Sequence, residues 1–186
     1  MDLIAAIKDL LLAPARSGNT HIIAIDGRAG AGKTTLANDL FLALSSTHRT
    51  AVMHMDEVYE GWKLGLGDPL APRLSHLLHD LSSGRPHQLP IYDWKSEEFT
   101  SYREIPLVDI LIIEGVGSAQ RVVRECATAT IWLDIDAATG LKRVLERDGK
   151  TIEAHMIQWQ ADEDEHHRRE KTRESADFIL STLPPL

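Results

Sequence analysis

The sequence predicts an open α/β fold built on a five-stranded parallel sheet, and three observations predict it. Short apolar runs of strand length recur along the chain, too continuous in apolarity to leave one face in water. Stretches with helical periodicity alternate with them at the spacing of strand–helix–strand units. A glycine-rich loop joins the first apolar run to the helix behind it.

The elements follow in order. Leu3, Ile4, Ile7, Leu10 and Leu11 recur at helical spacing, so residues 2–13 read as an amphipathic helix ended by Pro14. Residues 21–26 form an isoleucine-rich strand, and 33–46 a helix with Leu36, Leu40, Phe41 and Leu44 inward. A strand over 50–55 delivers Asp56 at its carboxyl end. The segment from about 59 to 105 is rich in glycine and proline, with one helix near 73–81, and reads as an insertion over the sheet. Strands follow at 109–114 and 129–134, then a helix at 137–147 and a break at Gly149-Lys150. A long helix over 152–173 and a last strand over 177–180 complete the pattern, and Pro184-Pro185 reads as a frayed end.

Composition narrows the class. A chain of 186 residues reads as a single domain over 1–186. It buries about 70% of its unfolded surface without disulfide or metal staples. Apolar residues at 43% and charged residues at 26% exclude a disordered or fibrous chain. No run approaches the ~18 apolar residues that span a bilayer, and residues 1–12 lack the features of a signal peptide. A net charge of −8 argues against nucleic acid as partner. A lone cysteine, Cys126, points to the cytoplasm.

The loop carries the chemistry. Gly27-Arg28-Ala29-Gly30-Ala31-Gly32-Lys33-Thr34 matches G-x-x-x-x-G-K-[ST] between a strand and a helix, the context of a phosphate-binding loop. Its glycines let successive N–H groups point at phosphate oxygens, and the helix behind it aims its positive end at the same anion. Lys33 supplies a mobile charge for the β- and γ-phosphates, and the Thr34 hydroxyl a hard ligand for Mg²⁺. A guanine-nucleotide switch calls for Asn-Lys-x-Asp and Asp-x-x-Gly, and neither string occurs. A motor ATPase usually ends its second acidic strand in Asp-Glu, where this chain has Ile113-Glu114-Gly115. A small-molecule kinase is the better reading. Asp56, at a strand end facing the phosphates, could act as general base for a hydroxyl or hold a metal-bound water.

With these residues in place, the chain resembles the uridine kinase, phosphoribulokinase and pantothenate kinase group of P-loop kinases, and uridine kinase-like proteins above all. The resemblance runs from Ile22 to Leu180. It rests on Gly27 to Thr35, Met55-Asp56-Glu57-Val58-Tyr59, Leu89-Pro90-Ile91-Tyr92-Asp93, Ile112-Ile113-Glu114-Gly115 and Leu133-Asp134. Lys142 to Asp148 and Ser175 to Leu180 complete the series. It implies a nucleoside/nucleotide kinase-like fold using ATP and Mg²⁺ on a small-molecule hydroxyl acceptor, with a uridine- or cytidine-like nucleoside favoured. Pantothenate, a sugar or a nucleoside monophosphate are the alternative acceptors, and a nucleotide-hydrolysing or sensing protein is the alternative class. It implies Asp56 as base, with Asp56, Thr34 and Glu114 around the metal. Tyr59 and Tyr92 would line the acceptor pocket, and Arg143 and Arg147 would belong to a short lid near 147–152.

Two departures stand out. Ser96-Glu97 occupies the stretch where uridine kinases usually carry a base-reading histidine, and the further arginine–glycine–arginine run of the lid is missing. The remaining features read as bland. Residues 162–171 alternate charge as a solvated helix face, with His166 and His167 on different faces. Met156 and Trp159 read as core packing, and Cys126 as buried rather than reactive.

Overall fold

The strands His21–Gly27 and Ile110–Glu114 carry isoleucine or leucine at successive positions and are buried on both faces, so the sheet lies between two layers. A computed structural model of the chain describes residues 2–181, so Pro184-Pro185 lies outside the described residues. In chain order the first elements are α1 (Leu3–Leu10), β1 (His21–Gly27), α2 (Lys33–Leu44), β2 (Thr50–His54), α3 (Gly61–Leu64) and α4 (Leu70–Ser82). Then come β3 (His87–Asp93), β4 (Glu98–Ile105), β5 (Ile110–Glu114), α5 (Arg121–Arg124) and β6 (Ala127–Asp134). The chain closes with α6 (Ala137–Asp148), α7 (Glu153–Glu170) and β7 (Phe178–Ser181).

The expected five-stranded parallel sheet is present, in the order β2-β5-β1-β6-β7. Alternation along β1 divides the core. Ile22 and Ala24 face a layer with Leu74, Leu77, Met156 and Trp159, while Ile23 and Ile25 face Ile7, Ala37, Leu40 and Leu44. Burying each such isoleucine contributes about 1.5–3 kcal/mol, so this two-sided register is strongly specified.

The segment over 59–105 differs from its sequence reading in more than one element. Besides α4 it contains the short helix α3 and the antiparallel hairpin β3–β4, paired from His87↔Ile105 to Asp93↔Glu98. Pro90 and a shift of register near Tyr92 blur its alternation, which is why the pattern hides it.

At the carboxyl edge of the sheet a fully buried carboxylate organises two loops. Asp26 Oδ1 accepts from the Gly27 N–H at 2.7 Å and the Gly117 N–H at 2.9 Å, and Oδ2 from the Ala119 N–H at 3.0 Å. His167 Nε2 stands 3.4 Å from Oδ1. Burial works to raise the Asp26 pKa, but the His167 contact and the backbone donors outweigh it and hold it below the ordinary value. Asp26→Ala strands three buried N–H groups, so stability at pH 7 should fall by about 3–5 kcal/mol. Urea unfolding with an unchanged m-value measures this, and a loss below about 1 kcal/mol contradicts it.

Candidate active site

The loop between β1 and α2 shows what its glycines are for. Gly30 has φ +79°, and a Cβ there would lie 2.4 Å from the Gly140 carbonyl oxygen. Gly140, in α6, would in turn put a Cβ 2.6 Å from the Ala29 carbonyl oxygen. Loop and helix therefore touch backbone to backbone. Gly32, the N-cap of α2, brings no side-chain acceptor, so the helix start keeps its N–H groups open. Lys33 is buried along its stem and donates from Nζ to the Gly27 and Arg28 carbonyls, both at 2.8 Å. Thr34 and Thr35 face solvent at the first turn of the helix, while Ala31 packs beneath the loop.

Two carboxylates converge on this loop from neighbouring strands. Glu114 ends β5 and lies opposite His54 in the β2–β5 register. Its Oε1 accepts from the Thr34 hydroxyl at 3.0 Å and contacts His54 Nδ1 at 2.6 Å. The hydrogen bond to Glu114 raises the His54 pKa against the opposing effect of burial. Asp56 follows β2 on the 3₁₀ turn Met55–Glu57. Its side chain opens into the cleft, yet the surrounding protein desolvates it and pushes its pKa up, partly offset by Lys33. Glu57 turns away and pairs with Arg103. Thr34, Glu114 and Asp56 are hard oxygen donors beside a phosphate-type loop, a set that suits Mg²⁺ sharing phosphate oxygens and waters. Among the described residues no three or more His, Cys, Asp or Glu side chains form a metal cage of their own.

The far side of Asp56 is aromatic. A cleft of about 210 Å³ opens beside Asp56, walled by Ala29, Trp62, Trp94, Arg147 and Trp159. Tyr59 borders it too, but its hydroxyl donates to the Val116 carbonyl at 2.7 Å, and burial pushes its pKa well up. Across Trp62 and Trp94 lies an outer pocket of about 510 Å³ that contains Tyr92, Glu60, Glu97 and His155. Tyr59 and Tyr92 thus occupy different chambers. Trp62 and Trp94 meet edge to face at 5.2 Å, and the Trp94 indole N–H donates to the Asp56 carbonyl at 3.0 Å. The two arginines diverge as well. Arg143 donates to the Gly30 carbonyl at 3.3 Å, whereas Arg147, clamped by Asp148, lines the cleft beside Asp56.

One expectation is overturned. Residues 162–171 are not a uniformly solvated face, because Glu163, His166 and His167 are buried against the loops around Asp26. Adjacent His166 and His167 both turn inward, with ring centroids 6.0 Å apart. Cys126 is half-buried, and burial lifts its pKa to about 11. Sequence reasoning also missed Asp26, His54, Trp62, Gly140 and Glu163. An acid closing an apolar strand was a readable signal for Asp26. The other four are positioned by contacts between distant segments.

The sheet order, the loop after β1 and the carboxylate at the end of β5 define a P-loop kinase fold. No family model matches the chain. It is 30% identical over 182 residues to a uridine kinase of Staphylococcus epidermidis, covering 87% of both chains. It is 28% identical over 165 residues to a chloroplastic uridine/cytidine kinase of Arabidopsis thaliana; that match covers 78% of this chain and 34% of the plant protein, so the chain spans about a third of that relative's length. Among solved structures it superposes on a Bacillus stearothermophilus protein described as a possible uridine kinase, with TM-score 0.65, 25% identity and coverage of 97% and 100%. The chain belongs to the uridine kinase-like family of P-loop kinases.

The His54–Glu114 contact gives a pH test. A raised histidine pKa adds stability that is complete below its unfolded value of about 6.5 and is lost as pH rises through the folded value. The stability advantage of wild type over His54→Gln should therefore shrink between pH 6 and pH 9. Thermal melts of both proteins check this, and a constant or growing advantage contradicts it.

Proposed function

We propose that the chain transfers the γ-phosphate of ATP to a hydroxyl of a small molecule. The observation that carries this reading is the position of Asp56, between the phosphate-type loop and an aromatic cleft just large enough for part of a small acceptor. A carboxylate that only held a metal would need no such chamber on its far side. In this reading Gly27 to Thr35 cradle the phosphates through backbone N–H groups. Lys33 swings its ammonium from the loop carbonyls to the β- and γ-phosphates. Mg²⁺ would be held by Thr34 and Glu114, with Asp56 near its waters, and supplies neutralisation of phosphate charge when bound.

Asp56 accepts the proton of the acceptor hydroxyl. Its raised pKa makes it a stronger base than a solvated carboxylate, and the Trp94 indole fixes its backbone. Arg147, on the same cleft wall, stabilises charge on the transferred phosphoryl group, while Arg143 braces the loop at Gly30. Lys33→Ala or Asp56→Asn should leave the fold intact and lower turnover by about a hundredfold to ten-thousandfold. Asp56→Asn should change ATP affinity far less than Lys33→Ala. Turnover and ATP binding for both variants across a magnesium titration decide the roles. Magnesium rescue of Asp56→Asn would assign Asp56 to the metal instead.

A pyrimidine nucleoside is the acceptor class suggested by the relatives' names. Glu97 favours a second reading, another hydroxyl metabolite. It stands in the outer pocket at the end of the β3–β4 turn, where its N–H donates to the Asp93 carbonyl at 2.8 Å. Its carboxylate accepts hydrogen bonds from amino or hydroxyl groups and offers nothing to a base carbonyl. Acceptor-stimulated ADP release over a panel of nucleosides, sugars and vitamins should therefore show no strong preference for uridine. A uridine efficiency at least about a hundredfold, or ~2.7 kcal/mol, above every other acceptor would remove the second reading. ADP release that no acceptor stimulates would favour a hydrolysing or sensing protein.

A further inference from the structure

Behind the wall shared by the loop and the cleft lies a carboxylate that the chemistry above does not use. Glu163, on α7, is fully buried. Its Oε1 accepts two hydrogen bonds, one from the Ala29 N–H of the phosphate loop at 2.9 Å and one from the Trp159 indole N–H at 2.8 Å. Its Oε2 has no hydrogen-bond partner among the described residues, and Arg28 Nη1 stands 3.9 Å away. Burial penalises the charge and lifts its pKa. A carboxylate held at such a depth with half its acceptor capacity idle is a poor stabilising device, since an apolar pair of the same volume does as well. Its placement needs another reason.

The partners supply one. Ala29 belongs to the loop and also borders the cleft, and Trp159, from α7, lines the same cleft. Trp159 packs edge to face on Tyr59 at 5.0 Å and on Trp62 at 5.9 Å, and Trp62 meets Trp94, whose indole holds the Asp56 carbonyl. We propose that Glu163 is a positioning residue that couples the nucleotide and acceptor sites by holding Ala29 and Trp159 on one oxygen. Both bonds have near-ideal lengths, and the close-packed surroundings leave the carboxylate little room to follow one donor without releasing the other. Ordering of the loop by nucleotide then orders the cleft wall, and the coupling is equal in both directions. The inference rests on the kinase reading and adds a residue to it.

The test needs no knowledge of the acceptor. A non-hydrolysable ATP analogue with Mg²⁺ is titrated calorimetrically into the full chain, as wild type, Glu163→Ala, Trp159→Phe, the double variant and Glu163→Gln. Glu163→Ala should weaken analogue binding about tenfold, through loss of a charge-assisted bond to the loop. Trp159→Phe, which removes the indole donor and leaves a smaller ring against Tyr59 and Trp62, should weaken it about fivefold although the donor lies on the cleft side. The double variant should bind within about twofold of Glu163→Ala, because both losses pass through one carboxylate. Glu163→Gln, whose amide oxygen can accept both bonds, should recover to within about threefold of wild type. A purely structural carboxylate would shift the melting temperatures, and any affinity losses of Glu163→Ala and Trp159→Phe would then add. Wild-type affinity in Trp159→Phe, or losses that add in the double variant, overturns the coupling alone; this comparison stands even if Glu163→Ala does not fold. A wild-type chain that binds no analogue overturns the kinase reading together with it.

Discussion

The carboxylate of Asp26 is the constraint on which the working edge of this molecule depends. It sits at the end of β1, where the strand must give way to a tight loop without leaving backbone N–H groups unpaired in the interior. By accepting from Gly27, Gly117 and Ala119, it fixes the loop after β1 and the loop after β5 to one point. A buried anion is tolerable there because donors surround it and His167 approaches from α7. The long helix is thereby part of the same arrangement, and its polar face is a packing surface.

From that point the site assembles by register. β5 runs between β1 and β2, so its last residue, Glu114, lies between the helix that carries Thr34 and the strand that leads to Asp56. Backbone-to-backbone contact of the loop with Gly140 brings α6 close, and Arg143 and Arg147 come with it. The oxygen donors are therefore placed by the sheet and the cations by a helix packed on the loop. The aromatic cleft is built differently, from the segment over 59–105 together with α6 and α7. Indole rings from α3, from the β3–β4 turn and from α7 meet one another there.

The parallel sheet was legible because its signal is local and redundant. Continuous apolar runs, helical periodicity between them and G-x-x-x-x-G-K-[ST] each point to the same fold, and β1 with α2 lies where that spacing puts it. Asp56 and Glu114 were legible as strand-end acids for the same reason. The sequence by itself could not reveal that Glu163, His166 and His167 point inward, because a charged helix face looks solvated until another polar surface is packed against it. Nor could it separate Tyr59 from Tyr92 into two chambers, or show Trp62 and Trp94 between them, since those positions follow from how the hairpin and α3 fold back over the sheet edge. Local patterning determined the scaffold and its phosphate loop. Contacts between segments far apart in the chain decided the shape of the aromatic cleft and the partners of the buried charges, because desolvation and hydrogen bonding are properties of neighbours in space.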